Sequence, residues 1–385
     1  MSGPYIRLTL PPDGSFFLLG LRGVGKSTWA RSLFGEAHFV DLLDERVFND
    51  LLVQPALFSA ELAARPDARE VVIDEVQRIP ALLNEVHRAI ERRRLRFVLL
   101  GSSARKLKTA GTNLLAGRAV LKTMYPLTPA ELGKDFHLEE VLRYGSLPLI
   151  WAAPDRAAAL EAYVHLYLRE EIRAEALVRS LPAFTRFLPI AALFHGQVIN
   201  VSGIAREAAV ARTTVNGYLE ILEDTLLTYR LPAYEARLRL RERKHPKLYW
   251  ADTGLVRAAR RQSGPVGPEE RGALLEGWVL TLLRAHGEEA ELYDEISYWA
   301  PAQGSNVEVD YLLRRRNELL AVEVKSSERF STGLLKGLKA VAELSGLVRR
   351  ILVYRGERSL RTEDGIDVWP VARLASEIAR GTLWP

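Results

Sequence analysis

The chain has 385 residues, 48% of them hydrophobic and 26% charged, with a formal net charge of +5 and no cysteine. At roughly 100–200 residues per domain this length implies two or three domains, and the apolar fraction is too high for a disordered chain. The missing cysteines exclude disulfides, thiolate zinc sites, iron–sulfur clusters and a cysteine nucleophile, and no apolar run approaches the roughly 18–20 residues that cross a bilayer.

The opening MSGPYIRLTLPPDG lacks the basic flank and apolar stretch of a signal peptide, so a reducing cytoplasm is the expected location. The basic residues are ten lysines and 43 arginines. That bias suits phosphate recognition, because the guanidinium fork matches phosphate oxygens, but it equally suits a high-GC or heat-adapted genome.

Along residues 1–130, short apolar runs alternate with helix-period segments. Phe16–Gly20, Phe39–Leu43, Val71–Asp74, Phe97–Gly101 and Val120–Leu127 read as buried strands of a parallel sheet covered on both faces. Residues 131–180 turn helical, with a long amphipathic candidate over 161–178. Three helix-sized pieces follow between Phe184 and Thr225, then strand-like runs at Leu227–Leu231 and Leu248–Ala251. Gly264–Pro268 reads as an exposed linker. Beyond it come a helix near 270–285, strands, a helix near 331–344, a strand at Ile351–Tyr354 and a last helix.

The segment Gly20-Leu-Arg-Gly23-Val-Gly25-Lys26-Ser27 fits G-x-x-x-x-G-K-[ST] between an apolar strand and a helix. Its glycines let backbone N–H groups wrap phosphate, Lys26 reaches the β- and γ-phosphates, and Ser27, with Thr28 beside it, opens the helix and offers a hydroxyl to Mg²⁺. A second strand ends in Asp74-Glu75. Asp74 suits Mg²⁺ binding through water, and Glu75 suits polarising the attacking water. ATP and Mg²⁺ are therefore the expected cofactors.

This loop, the Asp74-Glu75 pair, the strand end Gly101-Ser102-Ser103, and Leu115-Ala-Gly-Arg118 followed by Tyr125-Pro-Leu-Thr together resemble the AAA-superfamily ATPases of bacteria and archaea that carry an uncharacterised C-terminal domain. The resemblance runs along nearly the whole chain. It implies that Ser102 or Ser103 is the polar sensor beside the γ-phosphate. It also makes Arg118 an arginine finger that acts on a neighbouring subunit's nucleotide, hence a homo-oligomer, with a hexameric ring as the candidate assembly. Gly145-Ser-Leu-Pro148 resembles the glycine-x-proline turn by which related switch ATPases feel the nucleotide.

Gly203–Thr225 places apolar residues where two helices would meet across a short turn, the helix-turn-helix pattern, and a following hairpin would make it winged. Arg212 and Asn216 begin the second helix and suit phosphate or base edges, although Glu220, Glu223 and Asp224 lie further along it. Arg237, Arg239, Arg241 and Arg243 alternate as they would on one face of a strand, with Lys244 and Lys247 following, a pattern suited to tracking a DNA backbone.

Near the end, Asn306–Lys325 reads as a hairpin symmetric about Arg316–Asn317, which sets Asp310 opposite Glu323. Two carboxylates at that spacing suit a shared divalent cation. With Glu276 on the preceding helix and Lys325 two residues on, the set resembles the PD-(D/E)XK nuclease fold. Lys325 would there orient a water or stabilise a developing phosphorane. The histidines are dispersed, and neither H-E-x-x-H nor G-x-S-x-G occurs.

The expected fold is α/β: a P-loop AAA-type parallel-sheet domain (1–130), a helical lid (131–180), a winged helix-turn-helix with a basic hairpin (181–263) and a C-terminal α/β nuclease-like domain (264–385). The expected function is Mg²⁺-dependent ATP hydrolysis coupled to binding or remodelling of DNA, with forks or four-way junctions as candidate substrates. Two other classes remain open: an ATP-gated, metal-dependent DNA endonuclease, and a nucleotide-controlled switch with a protein partner.

Overall fold

The computed structural model describes residues 5–105, 115, 117–167, 180–234, 245–301 and 307–385. The chain forms two compact units, one of Thr9–Tyr125 with Ile221–Leu227, the other of Met1–Leu8, Pro126–Glu220 and Thr228–Pro385. Among the described residues no helix is long and apolar enough to cross a membrane.

The first unit is a five-stranded parallel sheet with helices on both faces. Its strands are β1 (Ser15–Gly20), β2 (His38–Asp41), β3 (Glu70–Asp74), β4 (Arg96–Gly101) and β5 (Ala119–Met124), in the spatial order β2-β3-β4-β1-β5. All four pairings are parallel, as uninterrupted apolar strands require when both faces are covered. The helix α1 (Lys26–Leu33) lies on one face, where Trp29 and Phe34 pack on Phe16. Helices α2 (Glu45–Val53), α3 (Ala56–Ala63) and α4 (Leu82–Arg93) bury Leu51, Phe58 and Val86 with Val71, Ile73, Phe97 and Leu99 in one apolar core. The carboxyl ends of β1, β3 and β4, the edge where open α/β sheets bind ligands, carry the loop, Asp74 and Ser102.

The second unit opens with α5 (Pro129–Leu132), capped by Thr128 and Glu131 in a reciprocal box, then α6 (Leu138–Tyr144), α7 (Pro148–Trp151) and α8 (Arg156–Ala162). The amphipathic helix expected over 161–178 is not continuous: α8 stops at Ala162 and a π-helical turn covers Tyr163–Tyr167, while 168–179 lie outside the described residues. Next come α9 (Leu181–Leu193), β6 (Gln197–Val198), α10 (Val201–Ala208), α11 (Arg212–Asp224), β7 (Thr228–Leu231) and β8 (Lys247–Trp250). The three strands pair antiparallel in the order β6-β8-β7. Phe184 and Phe187 of α9 pack on Tyr218 of α11. The final turn of α11 belongs to the first unit, where Asp224 accepts from Ala104 N at 2.9 Å and pairs with Arg105 at 3.2 Å.

Helix α12 (Thr253–Ala259) leads into α13 (Pro268–Ala290). In the Gly264–Pro268 stretch Gly264, Pro265 and Pro268 are exposed, as the linker reading expects, but the stretch is tied down. Arg257 donates to the carbonyls of Gly264 and Pro265 and pairs with Glu270, and Val266 is buried. Proline and glycine end regular structure, but a distant guanidinium decides whether the ended segment is packed.

The last sheet contains β9 (Glu295–Trp299), β10 (Val309–Arg315), β11 (Glu318–Lys325), β12 (Leu347–Tyr354), β13 (Leu360–Arg361) and β14 (Asp367–Pro370), ordered β13-β14-β12-β11-β10-β9. Strands β9, β10 and β11 run antiparallel, then β12 lies parallel to β11. The β10–β11 register runs from Arg315↔Glu318 to Tyr311↔Val322, which is the symmetry about Arg316–Asn317 read from the sequence. Arg316 takes a left-handed φ of 56° to make the two-residue turn. In place of one helix near 331–344 there is a 3₁₀ turn, the short α14 (Lys336–Ala340) and another 3₁₀ turn; α15 (Val371–Ala379) closes the chain.

Candidate functional site

The phosphate-binding loop is shaped by its glycines. Gly23 (φ 74°) and Gly25 (φ 97°) occupy left-handed backbone that side chains rarely adopt. A Cβ on Gly20 would lie 2.7 Å from the Met124 carbonyl. Lys26, the first residue of α1, is buried and donates to the carbonyls of Gly20 at 2.7 Å and Leu21 at 3.3 Å. Ser27 follows it and bonds to Asp74, whereas Thr28 is exposed.

Asp74 is buried at the end of β3, and its Oδ1 has no hydrogen-bond partner among the described residues. Burial lifts its carboxyl above the ordinary range and the Glu75 and Asp41 charges add to this, while the Ser27 hydroxyl and Lys26 oppose it. A buried carboxylate oxygen without a partner, beside a hydroxyl and a lysine, fits a nucleotide-bound Mg²⁺ with Ser27 and Asp74 as its holders.

Glu75 adopts a left-handed φ of 57°, unusual for a residue with a side chain. Its Oε2 accepts from Ser102 Oγ at 2.8 Å and from Gln77 Nε2, and the same Gln77 nitrogen donates to Ser102 Oγ at 2.9 Å. Three buried side chains, two from the turn after β3 and one from the residue after β4, thus form a closed triangle. Gly101 makes room for it, since a Cβ there would meet Gln77 Oε1 at 2.8 Å. Ser103 is fully buried and faces its own loop, accepting from Arg105 N at 3.3 Å. Sequence reasoning missed Gln77; the D-E-x-Q spacing was its only signal.

Arg118 precedes β5 and pairs with Glu91 of α4. Ala119 lies beside Ser15, at the start of β1, whereas Gly20 of the loop lies beside Met124. Five residue steps of strand separate those two ends, about 17 Å. Arg118 therefore stands at the end of the sheet opposite the loop of its own chain.

The second cluster lies at the start of the β10–β11 hairpin, beside α13 and β8. Asp310 and Glu323 are buried, and Asp310 Oδ2 accepts from Val324 N at 2.8 Å. Glu276 takes bonds from the Tyr249 hydroxyl and from Lys247, and its carbonyl accepts from Tyr311 at 2.6 Å. Lys325 pairs with Glu323 Oε1, and Glu323 Oε2 has no partner among the described residues. Gly337 of α14 lets that helix approach, for a Cβ there would be 2.2 Å from the Glu308 carbonyl and 3.2 Å from Glu323 Oε2.

Lys247, expected to contact DNA, is instead buried in this cluster. Its Nζ lies 3.0 Å from Glu308, 3.3 Å from Glu276 and 3.8 Å from Asp310. Burial opposes its charge, yet Glu276, Asp310 and Glu308 hold the ammonium above the ordinary lysine range. Burial pushes Glu276, Asp310 and Glu323 upward, with neighbouring carboxylates adding and the two lysines opposing. As arranged, these acids do not fit a metal: among the described residues no group of three or more His, Asp or Glu is placed to hold one.

Of the other DNA candidates, Arg212 and Asn216 are exposed at the start of α11. Arg237, Arg239, Arg241, Arg243 and Lys244 lie outside the described residues.

Residues 13–133 match the model of the AAA domain, and the first unit is a P-loop ATPase domain of the AAA type. Residues 135–265 and 271–374 match two domains of unknown function, DUF8612 and DUF4143. Uncharacterised proteins of Mycobacterium bovis and Mycobacterium tuberculosis are each 29% identical over 368 residues, 93% of this chain and 80% of theirs. An uncharacterised Haemophilus influenzae protein is 24% identical over 67% of both chains. Among solved structures, the Aeropyrum pernix ORC1 protein in complex with DNA is similar over 65% of this chain and 87% of that chain, with TM-score 0.28 and 14% identity. A Vibrio cholerae protein covers 96% of both chains with TM-score 0.24 and 14% identity.

Proposed function

We propose that the protein hydrolyses ATP at the loop of its AAA-type unit and couples the nucleotide cycle to binding or remodelling of DNA. The observation that carries the hydrolytic reading is the Glu75–Gln77–Ser102 triangle beside the Asp74–Ser27 pair. Lys26 and the loop amides bind and orient the phosphates, Ser27 and Asp74 hold Mg²⁺, and Glu75 accepts a proton from the attacking water as that water reaches the γ-phosphate. Bound Mg²⁺ supplies positive charge against the phosphate oxygens. Ser102 and Gln77 fix where the Glu75 carboxylate points.

Arg118 supports an oligomeric reading, because its place at the far end of β5 suits a neighbour's nucleotide and not its own. The DNA reading rests on the order α9-β6-α10-α11-β7-β8 with its antiparallel sheet, which suits a winged helix-turn-helix, on the exposed Arg212 and Asn216, and on the arginine alternation in the sequence over 237–243. Branched DNA is the preferred substrate class, since a basic hairpin tracks phosphates without reading bases. The domain division expected from the sequence, with lid, winged helix and nuclease-like parts, is part of the same proposal.

The test is the steady-state ATPase rate with Mg²⁺ and no DNA, single strand, duplex, fork or four-way junction, with Lys26→Ala as the blank. Stimulation by forks or junctions over duplex is expected. A rate indifferent to every DNA would overturn the DNA reading and favour a switch acting on a protein partner.

A further inference from the structure

Lys247 is a buried ammonium that the ATPase reading does not use. It projects from β8, which pairs on both edges, with β6 and with β7, and whose other residues Leu248, Tyr249 and Trp250 are buried. Its side chain is only 2% exposed. Three carboxylates converge on it from separate elements: Glu276 from α13, Glu308 from the segment before β10, and Asp310 from β10 itself. The Tyr298 ring lies 5.5 Å from the ammonium on a further side. The strand pairings fix its backbone, and the three acids hold its ammonium in the cluster.

From this geometry we infer that Lys247 is the resident cation of the acidic centre, where it excludes a divalent metal and leaves the nuclease-like unit without phosphodiester-cleaving chemistry. A metal requires carboxylate oxygens at about 2.0–2.6 Å. An ion bound to Glu276 Oε1 and Asp310 Oδ1 would share a buried site with a fixed positive charge contacting those same oxygens. In water such like-charge contact is screened; in a dry interior it is not. The endonuclease reading therefore fails at this residue, although the acids expected for it are present. The donors are present but not gathered: Glu323 Oε2 has no partner among the described residues, and the acids must draw together before three of them can hold an ion. Removing the ammonium should convert the centre into a divalent-cation site built from Glu276, Asp310 and Glu323. This inference is independent of the ATPase site and survives or fails without it.

Mn²⁺ binding to the nucleotide-free full chain, followed by electron paramagnetic resonance, tests it. For the wild type we expect no Mn²⁺ binding that depends on Asp310, so that wild type and Asp310→Asn give the same isotherm. Lys247→Met is expected to bind one additional Mn²⁺, lost again on adding Asp310→Asn, and to show a melting temperature that rises with Mn²⁺ where the wild type's does not. If Lys247→Met fails to fold, Lys247→Met/Glu308→Gln removes one anion with the cation and carries the same expectation. Lys247→Arg, which keeps the charge, should gain no site. An Asp310-dependent Mn²⁺ site in the wild type would overturn the inference, and so would a folded lysine-free variant that gains none.

Discussion

The Ser102 hydroxyl donates to the Glu75 carboxylate at 2.8 Å, joining the end of β4 to the residue after β3. Because Gln77 bonds both partners, the carboxylate has one preferred direction, although its backbone sits in a strained left-handed conformation. The arrangement gives Gln77 and Ser102 a positioning role through their bonds to Glu75.

Gln77→Ala and Ser102→Ala should each slow ATP turnover by about 10- to 100-fold, the usual effect of a misdirected catalytic group, with nucleotide affinity nearly unchanged. Measuring kcat and nucleotide Kd separately checks this. Loss of affinity with unchanged kcat would mean that the triangle shapes the binding pocket and does not aim the carboxylate.

Arg118→Ala should lower turnover by about 1,000-fold or more if it serves a neighbour's nucleotide, given the range seen for arginine fingers. Mixing Arg118→Ala with Lys26→Ala chains should restore part of the activity, because a mixed assembly contains some sites with both an intact loop and an intact arginine. No recovery on mixing would remove the trans role and leave Arg118 as the exposed partner of Glu91.

Gly145 should be the least replaceable residue of the turn after α6. It holds φ at 74°, and a Cβ there would lie 1.8 Å from Asp252 Oδ1. Asp252 accepts from Ser146 N at 2.8 Å with one oxygen and from Leu255 N at 3.1 Å with the other, so one carboxylate secures both the turn and the start of α12. Gly145→Ala is expected to cost about 2 kcal/mol or more, and Asp252→Asn about 1–3 kcal/mol because its NH₂ must face a backbone N–H. Denaturant unfolding measures both; a Gly145→Ala chain as stable as the wild type would contradict this packing.

His195 sets a pH dependence of known sign. Burial, with the Arg260 charge adding and the Ala273 backbone opposing, pulls its pKa down to about 3, and its Nδ1 accepts from Trp250 N at 3.0 Å. Below about pH 6.5 the unfolded chain takes up a proton that the folded chain refuses. This contribution is therefore fully present above pH 6.5 and is lost as pH falls toward 3, at up to about 1.4 kcal/mol per pH unit. Between pH 6 and pH 5 the wild type should lose stability faster than His195→Gln by an amount approaching that slope. Parallel stability profiles would show that the imidazole accepts a proton in the folded state.

Much of the first unit was legible because its signals are local. The five apolar runs became β1 to β5, although β5, expected to be buried, lies at the sheet edge and exposes Val120 and Leu121, and the loop's glycines, Lys26 and Ser27 lie where their spacing requires. The β10–β11 register was legible for the same reason, since a two-residue turn fixes every pair along the hairpin. Gln77 was not, because nothing in D-E-x-Q shows that the glutamine turns back onto Glu75. Lys247 was misplaced because its membership of a basic stretch does not show that its side chain is buried among three carboxylates. The packing of Gly264–Pro268 depends on Arg257, a contact that composition cannot reveal.

The central claim is hydrolysis by Glu75 at the loop of the AAA-type unit, and Glu75→Gln tests it most directly. ATP turnover and nucleotide affinity should be measured on that variant beside the wild type, with Mg²⁺ present. The predicted result is wild-type turnover and, in Glu75→Gln, retained ATP binding with turnover reduced by about 100-fold or more, the contribution of a positioned general base. Equal turnover in the two proteins would contradict the assignment of Glu75 and with it the mechanism proposed here.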